Sequence, residues 1–478
     1  MSNTSNEKSD VLVIGGGPAG MLAALRAGDL GAKTVLVTRD EFGGMAANDG
    51  PVPVRTLAHA ARLLRDARQL NRYGIETGHT KLNYSRLLER VHEVVKDVRS
   101  RSTFRKQIDS VGVAVHERCG DAGFADPHTI EAESGLRLCA EKIIVCTGGV
   151  NRRLTVPGSE LTATHSDAWA LTSVPESILV VGGGATGAQV ASIFNAFGSK
   201  IQLFQTGPRI LPTEDEEVSA AVAELFRASG ITIRENFGTV DSFEKTTNGT
   251  RMYFSKDGKQ ESTDAALVVT AIGWIANVAG LHLDNAGVET DARGYIGVDE
   301  FMTTSASHVF AAGDVTGRMM LVPQAIQDGF VAATNAVRGA TMMALDAPAP
   351  IGSFTDPEYA QVGMTEAQAS ANGEVVVAKI RFDSTTRTII DGRTNGLCKL
   401  IVDSKTRQIL GCHAVGERAV EITQVAAVCM AARMRVDDLA NVPLSFPTYA
   451  GVLGIVAGQA SRRLNLKVDW QASKFLDQ

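Results

Sequence analysis

A chain of 478 residues with 44% hydrophobic and 21% charged side chains is long enough for two or three domains, because a single core stops growing well below that length. Its 47 basic and 53 acidic residues leave a formal charge of -6, which excludes a global field drawing it to nucleic acid or anionic lipid; the expected partners are small molecules. Cys119, Cys139, Cys146, Cys398, Cys412 and Cys429 are scattered without zinc or redox spacing, and no signal-peptide core or membrane-length apolar run appears, so a cytoplasmic protein without a membrane span is expected.

Residues 1–9 read as a flexible polar tail. Residues 11–14, Val-Leu-Val-Ile, form a short buried strand that runs into Gly15-Gly-Gly17-Pro-Ala-Gly20. A helix opens there, continues to residue 30, and yields to an apolar strand over residues 33–38: a βαβ unit. Helices are predicted over residues 55–73 and about 84–112, then strands leading to Lys142-Ile-Ile-Val-Cys-Thr-Gly148. The opening grammar then repeats, with a strand at Ser177–Val181, Gly182-Gly-Gly184-Ala-Thr-Gly187, a helix to Phe197 and a strand at Lys200–Gln205. The acidic run Glu214-Asp-Glu-Glu217 reads as a helix cap. Phe310-Ala-Ala-Gly-Asp314 precedes a helix over residues 323–339, and Ala347-Pro-Ala-Pro350 reads as a linker. Residues 354–478 alternate strands such as 397–402 with Ala-rich helices such as 419–434, an α+β pattern.

In a turn of this kind the first glycine permits the bend, the second lets backbone approach a pyrophosphate, and the third allows close helix-strand packing. One such match is weak, but two in strand-helix-strand context point to two dinucleotide-binding folds.

These motifs, with Gly43-Gly44, Cys146-Thr-Gly148, Ala271-Ile-Gly273, Ala312-Gly-Asp314 and Thr355-Asp-Pro-Glu358, carry a resemblance to the pyridine nucleotide-disulfide oxidoreductase family over nearly the whole chain. The resemblance implies an α/β architecture with two Rossmann-like domains and a C-terminal α+β dimerisation domain. FAD would bind residues 10–158 and 275–348, NAD(P) residues 159–274, and residues 349–478 would form a homodimer interface. The first fingerprint (Gly15, Gly17, Gly20) and Asp314 would contact FAD, and the second (Gly182, Gly184, Gly187) would contact NAD(P)H. The wider cofactor set it implies adds Pro18, Ala19, Thr38, Arg39, Gly43, Gly44, Met45, Arg55, Thr147, Gly148, Ala185, Thr186, Thr206, Arg209, Gly273, Gly313, Gln324 and Ala325. Gln324 is expected to add a hydrogen bond at the flavin N1/O2 edge.

The sequence also departs from the family. Ala46 and Pro51 align with the two redox cysteines, and neither can form a thiolate or disulfide. Phe446 and Gly451 stand where the family carries its acid-base histidine and the glutamate that orients it. A thiolate-protonating dyad has no purpose without a thiolate, so the two losses indicate one coordinated change of chemistry. The lysine and glutamate expected beside the flavin become Arg55 and Gln189, which with Phe446 are the expected catalytic residues. Ala185 replaces an aromatic gate over the nicotinamide pocket, leaving the flavin face open. Thr38 replaces the ribose-binding acid, and Gln205 ends the second unit without the carboxylate that would reject a 2'-phosphate. Thr206 and Arg209 are expected to receive that phosphate, favouring NADPH over NADH. The nine histidines show no ligand spacing and no metal site is expected.

The leading expectation is an NAD(P)H oxidoreductase passing hydride through flavin directly to a small acceptor such as a quinone. Two alternatives stay open: a flavin oxidase or specialised biosynthetic redox enzyme using O2 or an organic substrate, and a catalytically silent FAD-binding regulatory subunit.

Overall fold

The structure, a computed structural model, describes residues 8–76, 78, 80–345 and 348–468. The chain divides into two compact units, Met1–Leu57, Ser85–Arg152 and Gly273–Asp346 in the first, and Ala58–Tyr84, Arg153–Ile272 and Ala347–Gln478 in the second. Among the described residues no helix is long and apolar enough to cross a membrane.

In the first unit, parallel strands lie in the order Ala114–His116, Thr34–Val37, Lys8–Ile14 and Arg137–Val145, with Val309–Ala311 also parallel to the last of these. The antiparallel strands Thr129–Ala132 and Ala122–Asp126 extend the sheet. Val11, Leu12, Val13 and Ile14 are all buried, which is why the opening strand reads as a continuous apolar run rather than an alternation. It begins earlier than expected, because Lys8 and Ser9 pair with Cys139 and Ala140; residues 1–7 of the expected tail lie outside the described residues. Against one face packs the helix Pro18–Asp29, whose buried positions Ala19, Ala23, Ala24 and Ala27 let the helix Val322–Arg338 approach closely. At the crossing, a Cβ on Gly329 would lie 2.2 Å from the Ala19 carbonyl oxygen. The expected helix over residues 84–112 is two helices, Tyr84–Arg101 and Thr103–Ser110, separated by Ser102 in extended backbone.

The second unit holds the other βαβ element, Ser177–Val181, Ala185–Phe197 and Lys200–Gln205, as expected. Its parallel sheet runs Thr232–Glu235, Lys200–Gln205, Ser177–Val181, Leu267–Thr270, beside an antiparallel meander of Thr239–Thr246, Gly249–Lys256 and Lys259–Ala265. The C-terminal part is a five-stranded antiparallel sheet in the order Ile351–Ser353, Tyr359–Gly363, Ile409–Val415, Leu397–Asp403, Val375–Arg381. Helices Ala419–Ala431 and Val452–Arg463 complete its core through Ile422, Ala426, Leu453, Val456 and Ala457. Residues 346, 347 and 469–478, including the first residue of the expected linker, lie outside the described residues, as does His79.

A further boundary differs from expectation. The helix expected over residues 55–73 runs over Pro51–Ala67 instead, since proline suits a first helical turn, with a separate 3-10 turn at Leu70–Tyr73, and residues 58–84 group with the second unit. Ion pairs hold this part there: Arg62 to Glu417 and Glu358, Arg65 to Asp356, and Asp66 to Arg393.

The acidic run also does more than cap. Asp215 accepts from the Glu217 amide at the start of Glu216–Ala228, and it also accepts from the Glu366 amide at 3.1 Å and from the buried ammonium of Lys399 at 2.9 Å.

Candidate functional site

The first glycine loop is shaped by what its side chains lack. Gly15 has φ +110, and a Cβ there would sit 2.2 Å from the Cys146 carbonyl oxygen; one on Gly20 would sit 1.8 Å from the Gly15 oxygen. Gly17 is different: its nearest neighbour to an added Cβ is the Gly44 Cα at 3.9 Å. Thus the outer glycines permit the turn and the packing, while the middle one leaves room for a ligand. Gly43 donates its amide to the Gly16 oxygen, and Gly44, at φ +56, lies against Gly17 where a Cβ would come within 2.5 Å of its Cα. The helix Pro18–Asp29 has proline at its start, no capping side chain and no acid in its first turn. Its N-terminal amides are therefore left to an anion.

Around this loop, Thr38 is buried with Oγ1 3.1 Å from where a Gly16 Cβ would lie, whereas Arg39 is exposed and pairs with Asp121. Thr147 donates to the Asn277 oxygen, and Asn277 returns bonds to the Thr147 and Gly148 oxygens, so Asn277 braces a turn that no local spacing revealed. Gly313, at φ +78, is hemmed by the Cβ atoms of Ala19 and Ala325. Next to it, Asp314 is half-buried, and its carboxylate makes no hydrogen bond or ion pair among the described residues; burial raises its pKa. A half-buried carboxylate without a protein partner among the described residues fits a ligand that brings hydroxyl donors, as the ribityl chain of FAD does.

Gln324 does not fit its expected role. It is buried, and its Nε2 donates to Asp328 Oδ1 at 2.8 Å, so the amide is committed inside the protein rather than directed at a flavin edge. Met45 acts through its backbone, its oxygen accepting from the Asp49 and Gly50 amides to close the short helix Gly44–Asn48. Ala46 is half-buried on that helix, and Pro51 opens the next one. Arg55 is exposed in the first turns of Pro51–Ala67.

The second loop repeats the geometry. A Cβ on Gly182 (φ +108) would meet the Ala271 oxygen at 2.3 Å and one on Gly187 the Gly182 oxygen at 1.9 Å, whereas Gly184 has open space. The helix Ala185–Phe197 again starts without a capping side chain or an early acid. Gln205 Oε1 accepts from the Gly183 amide at 2.9 Å and so orders the loop from the end of the next strand. Ala185 is exposed, Thr186 is half-buried, and Gly273 turns with φ +106. Gln189 lies along its own helix, Nε2 donating to the Ala185 oxygen at 3.4 Å. Thr206 is exposed, but Arg209 is not poised for a phosphate: its guanidinium donates to the carbonyls of Leu211, Pro212 and Glu214 and closes its own loop.

Arg55 belongs to the first unit, and Gln189 and Phe446 to the second. Phe446 is 81% exposed, and Gly451 precedes the helix Val452–Arg463. All six cysteines are free; Cys139 is half-buried and the other five are buried, with burial pushing the Cys146 thiol up.

Residues 9–329 match the family described as pyridine nucleotide-disulphide oxidoreductase, and residues 349–455 its dimerisation domain. The chain is similar to the dihydrolipoyl dehydrogenase of Bacillus subtilis (30% identical, covering 94% of this chain and 97% of that protein). It is also similar to the mercuric reductase of Bacillus cereus (28%, covering 94% and 71%). Among solved structures, the HOCl-induced flavoprotein disulfide reductase RclA of Escherichia coli superposes with a TM-score of 0.83 at 25% identity, covering 94% of this chain and 99% of that one. The chain therefore belongs to the pyridine nucleotide-disulphide oxidoreductase family, flavoprotein oxidoreductases whose members use FAD and NAD(P)H, and it carries that family's dimerisation domain.

Proposed function

We propose that this protein is an FAD-dependent NAD(P)H:acceptor oxidoreductase that reduces a small acceptor such as a quinone directly, with no redox disulfide. The observation that supports the reading is the pair Ala46 and Pro51, which by the sequence resemblance align with the family's redox cysteines, next to a glycine cradle shaped for a pyrophosphate. A methyl group and a pyrrolidine ring offer no sulfur to accept electrons. FAD, when bound, supplies the chemistry of accepting a hydride from the nicotinamide and releasing two electrons to the acceptor.

The chain's own residues do the rest. The amides at the start of Pro18–Asp29 receive the FAD pyrophosphate, and Asp314 accepts from its hydroxylated chain. The start of Ala185–Phe197 receives the nicotinamide dinucleotide in the same way, and Ala185 leaves its approach unobstructed. Phe446, exposed where relatives carry a proton-transferring histidine, offers an aromatic face to a planar acceptor instead of a proton. Arg55 keeps its positive charge at every working pH and suits an anionic or carbonyl-bearing acceptor. With Arg209 engaged by its own loop, the preference for NADPH rests on the exposed Thr206 hydroxyl and the absence of a carboxylate at Gln205. The dimerisation domain supports a homodimer, and six free cysteines suit the reducing cytoplasm.

Anaerobic stopped-flow absorbance tests the reading. NADPH or NADH should bleach the bound-flavin band in a single phase, and a quinone should restore it within turnover time. If neither nucleotide bleaches the flavin, hydride transfer is wrong; if a disulfide substrate reoxidises it as fast as the quinone, the thiol-free route is wrong. Reoxidation by O2 alone would point to an oxidase.

A further inference from the structure

Two histidines that lie far apart in sequence meet on the first unit. His128 sits in the turn between strands Ala122–Asp126 and Thr129–Ala132, and His308 immediately precedes the strand Val309–Ala311. Their ring centroids are 4.5 Å apart with the planes at 39°. Nδ1 of His128 lies 3.0 Å from the Ala140 carbonyl oxygen, and Nε2 of His308 lies 2.8 Å from that of Pro127. A carbonyl can only accept, so those two nitrogens carry the ring protons of the neutral imidazoles. Nε2 of His128 and Nδ1 of His308 therefore keep their lone pairs. An N–H held by a backbone carbonyl, with the other nitrogen free, is the arrangement that fixes the tautomer of a metal-ligating histidine.

We propose that His128 and His308 form a two-imidazole binding site for a late first-row divalent cation, with Cu2+ the tightest and water completing its coordination. Ring centroids 4.5 Å apart leave room for one ion lying about 2.0–2.1 Å from a nitrogen of each ring. Imidazole donors suit Cu2+ and Zn2+, and affinity for a given nitrogen site peaks at Cu2+ among the divalent ions of this row. Lys142, whose Nζ donates to the Ser307 oxygen, is the cation that opposes an incoming ion. Asp126 contributes no ligand, since one oxygen accepts from the His128 amide and the other faces Arg137. Among the described residues no third histidine, cysteine or carboxylate completes a three-ligand group, so the site binds an exchangeable ion rather than a structural one.

The test uses the full FAD-loaded protein, Cu2+ titrated against a competing chelator, and electron paramagnetic resonance. Wild-type protein should bind one equivalent with coupling to two nitrogens, and both His128→Asn and His308→Asn should lose that equivalent, with affinity falling at least tenfold. Unchanged binding in either variant overturns the pair. Should a variant fail to fold, histidine modification of wild-type protein, mapped by mass spectrometry, decides: Cu2+ must protect both His128 and His308, and protection of one or neither overturns the site.

Discussion

Replacing Asp314 with alanine separates what the Gly313-Asp314 turn does for the fold from what it does for the cofactor. The carboxylate is half-buried without a hydrogen bond or ion pair among the described residues, and burial raises its pKa. In apoprotein it is an uncompensated charge, so Asp314→Ala should leave the thermal midpoint of apoprotein unchanged or higher. In holoprotein the same carboxylate would accept from cofactor hydroxyls, and a hydrogen bond to a charged group contributes about 1.5–3 kcal/mol. Losing one such bond weakens FAD by roughly ten- to a hundredfold in Kd. The pH dependence has a definite sign. An acid whose folded pKa is raised binds its proton more tightly when folded, so its contribution is present below the ordinary aspartate value of about 3.9 and is lost as pH rises through the raised one. Apo wild type should therefore lose stability over that interval where the variant does not. FAD binding to deflavoprotein, followed by fluorescence quenching alongside thermal scans of both forms, measures all three effects. A variant that binds FAD within threefold of wild type, or whose apoprotein is destabilised as much as its holoprotein, would refute the reasoning.

Other perturbations follow from the same contacts. Lys399 and Asp215 are 2% and 3% exposed, so Lys399→Met strands a buried carboxylate and should cost about 3–5 kcal/mol; adding Asp215→Asn should recover most of it in thermal scans, and no recovery would mean the pair is not coupled. Glu358 is pushed up to about 7 by burial and by Glu417. Its stabilising contribution is thus complete below the ordinary glutamate value of about 4.3 and disappears as pH rises through about 7. Glu358→Gln should flatten the thermal midpoint across that window, and an unchanged slope would count against the assignment. Gly187→Ala would force a Cβ to within 1.9 Å of the Gly182 oxygen; NADPH affinity, read by flavin bleaching, should fall more than tenfold while FAD is retained, and normal bleaching would show the loop tolerates the change.

The parts of this protein legible in its sequence are those whose cause is local. Each glycine fingerprint is a steric statement about atoms a few residues away or on the adjoining strand, so Gly15, Gly20, Gly182 and Gly187 stand where the spacing put them, each against a backbone oxygen that leaves no room for a Cβ. Element bounds were less legible because they depend on pairing: Lys8 and Ser9 join a strand through Cys139 and Ala140, and residues 58–84 join the second unit through Glu358, Asp356, Arg393 and Glu417. Side-chain commitments are the least legible, since His308 finds Pro127 from 181 residues away and Lys399 finds Asp215 from 184. Gln324 and Arg209 diverge from expectation for one shared reason. A polar group covered by protein must be hydrogen-bonded, and these two meet that need within the chain, at Asp328 and at the carbonyls of residues 211, 212 and 214. A donor already satisfied gains little from a ligand. Asp314 is the converse case, covered but without a partner in the protein, and the unmet requirement rather than the residue type marks it as the position where a cofactor's own donors contribute most.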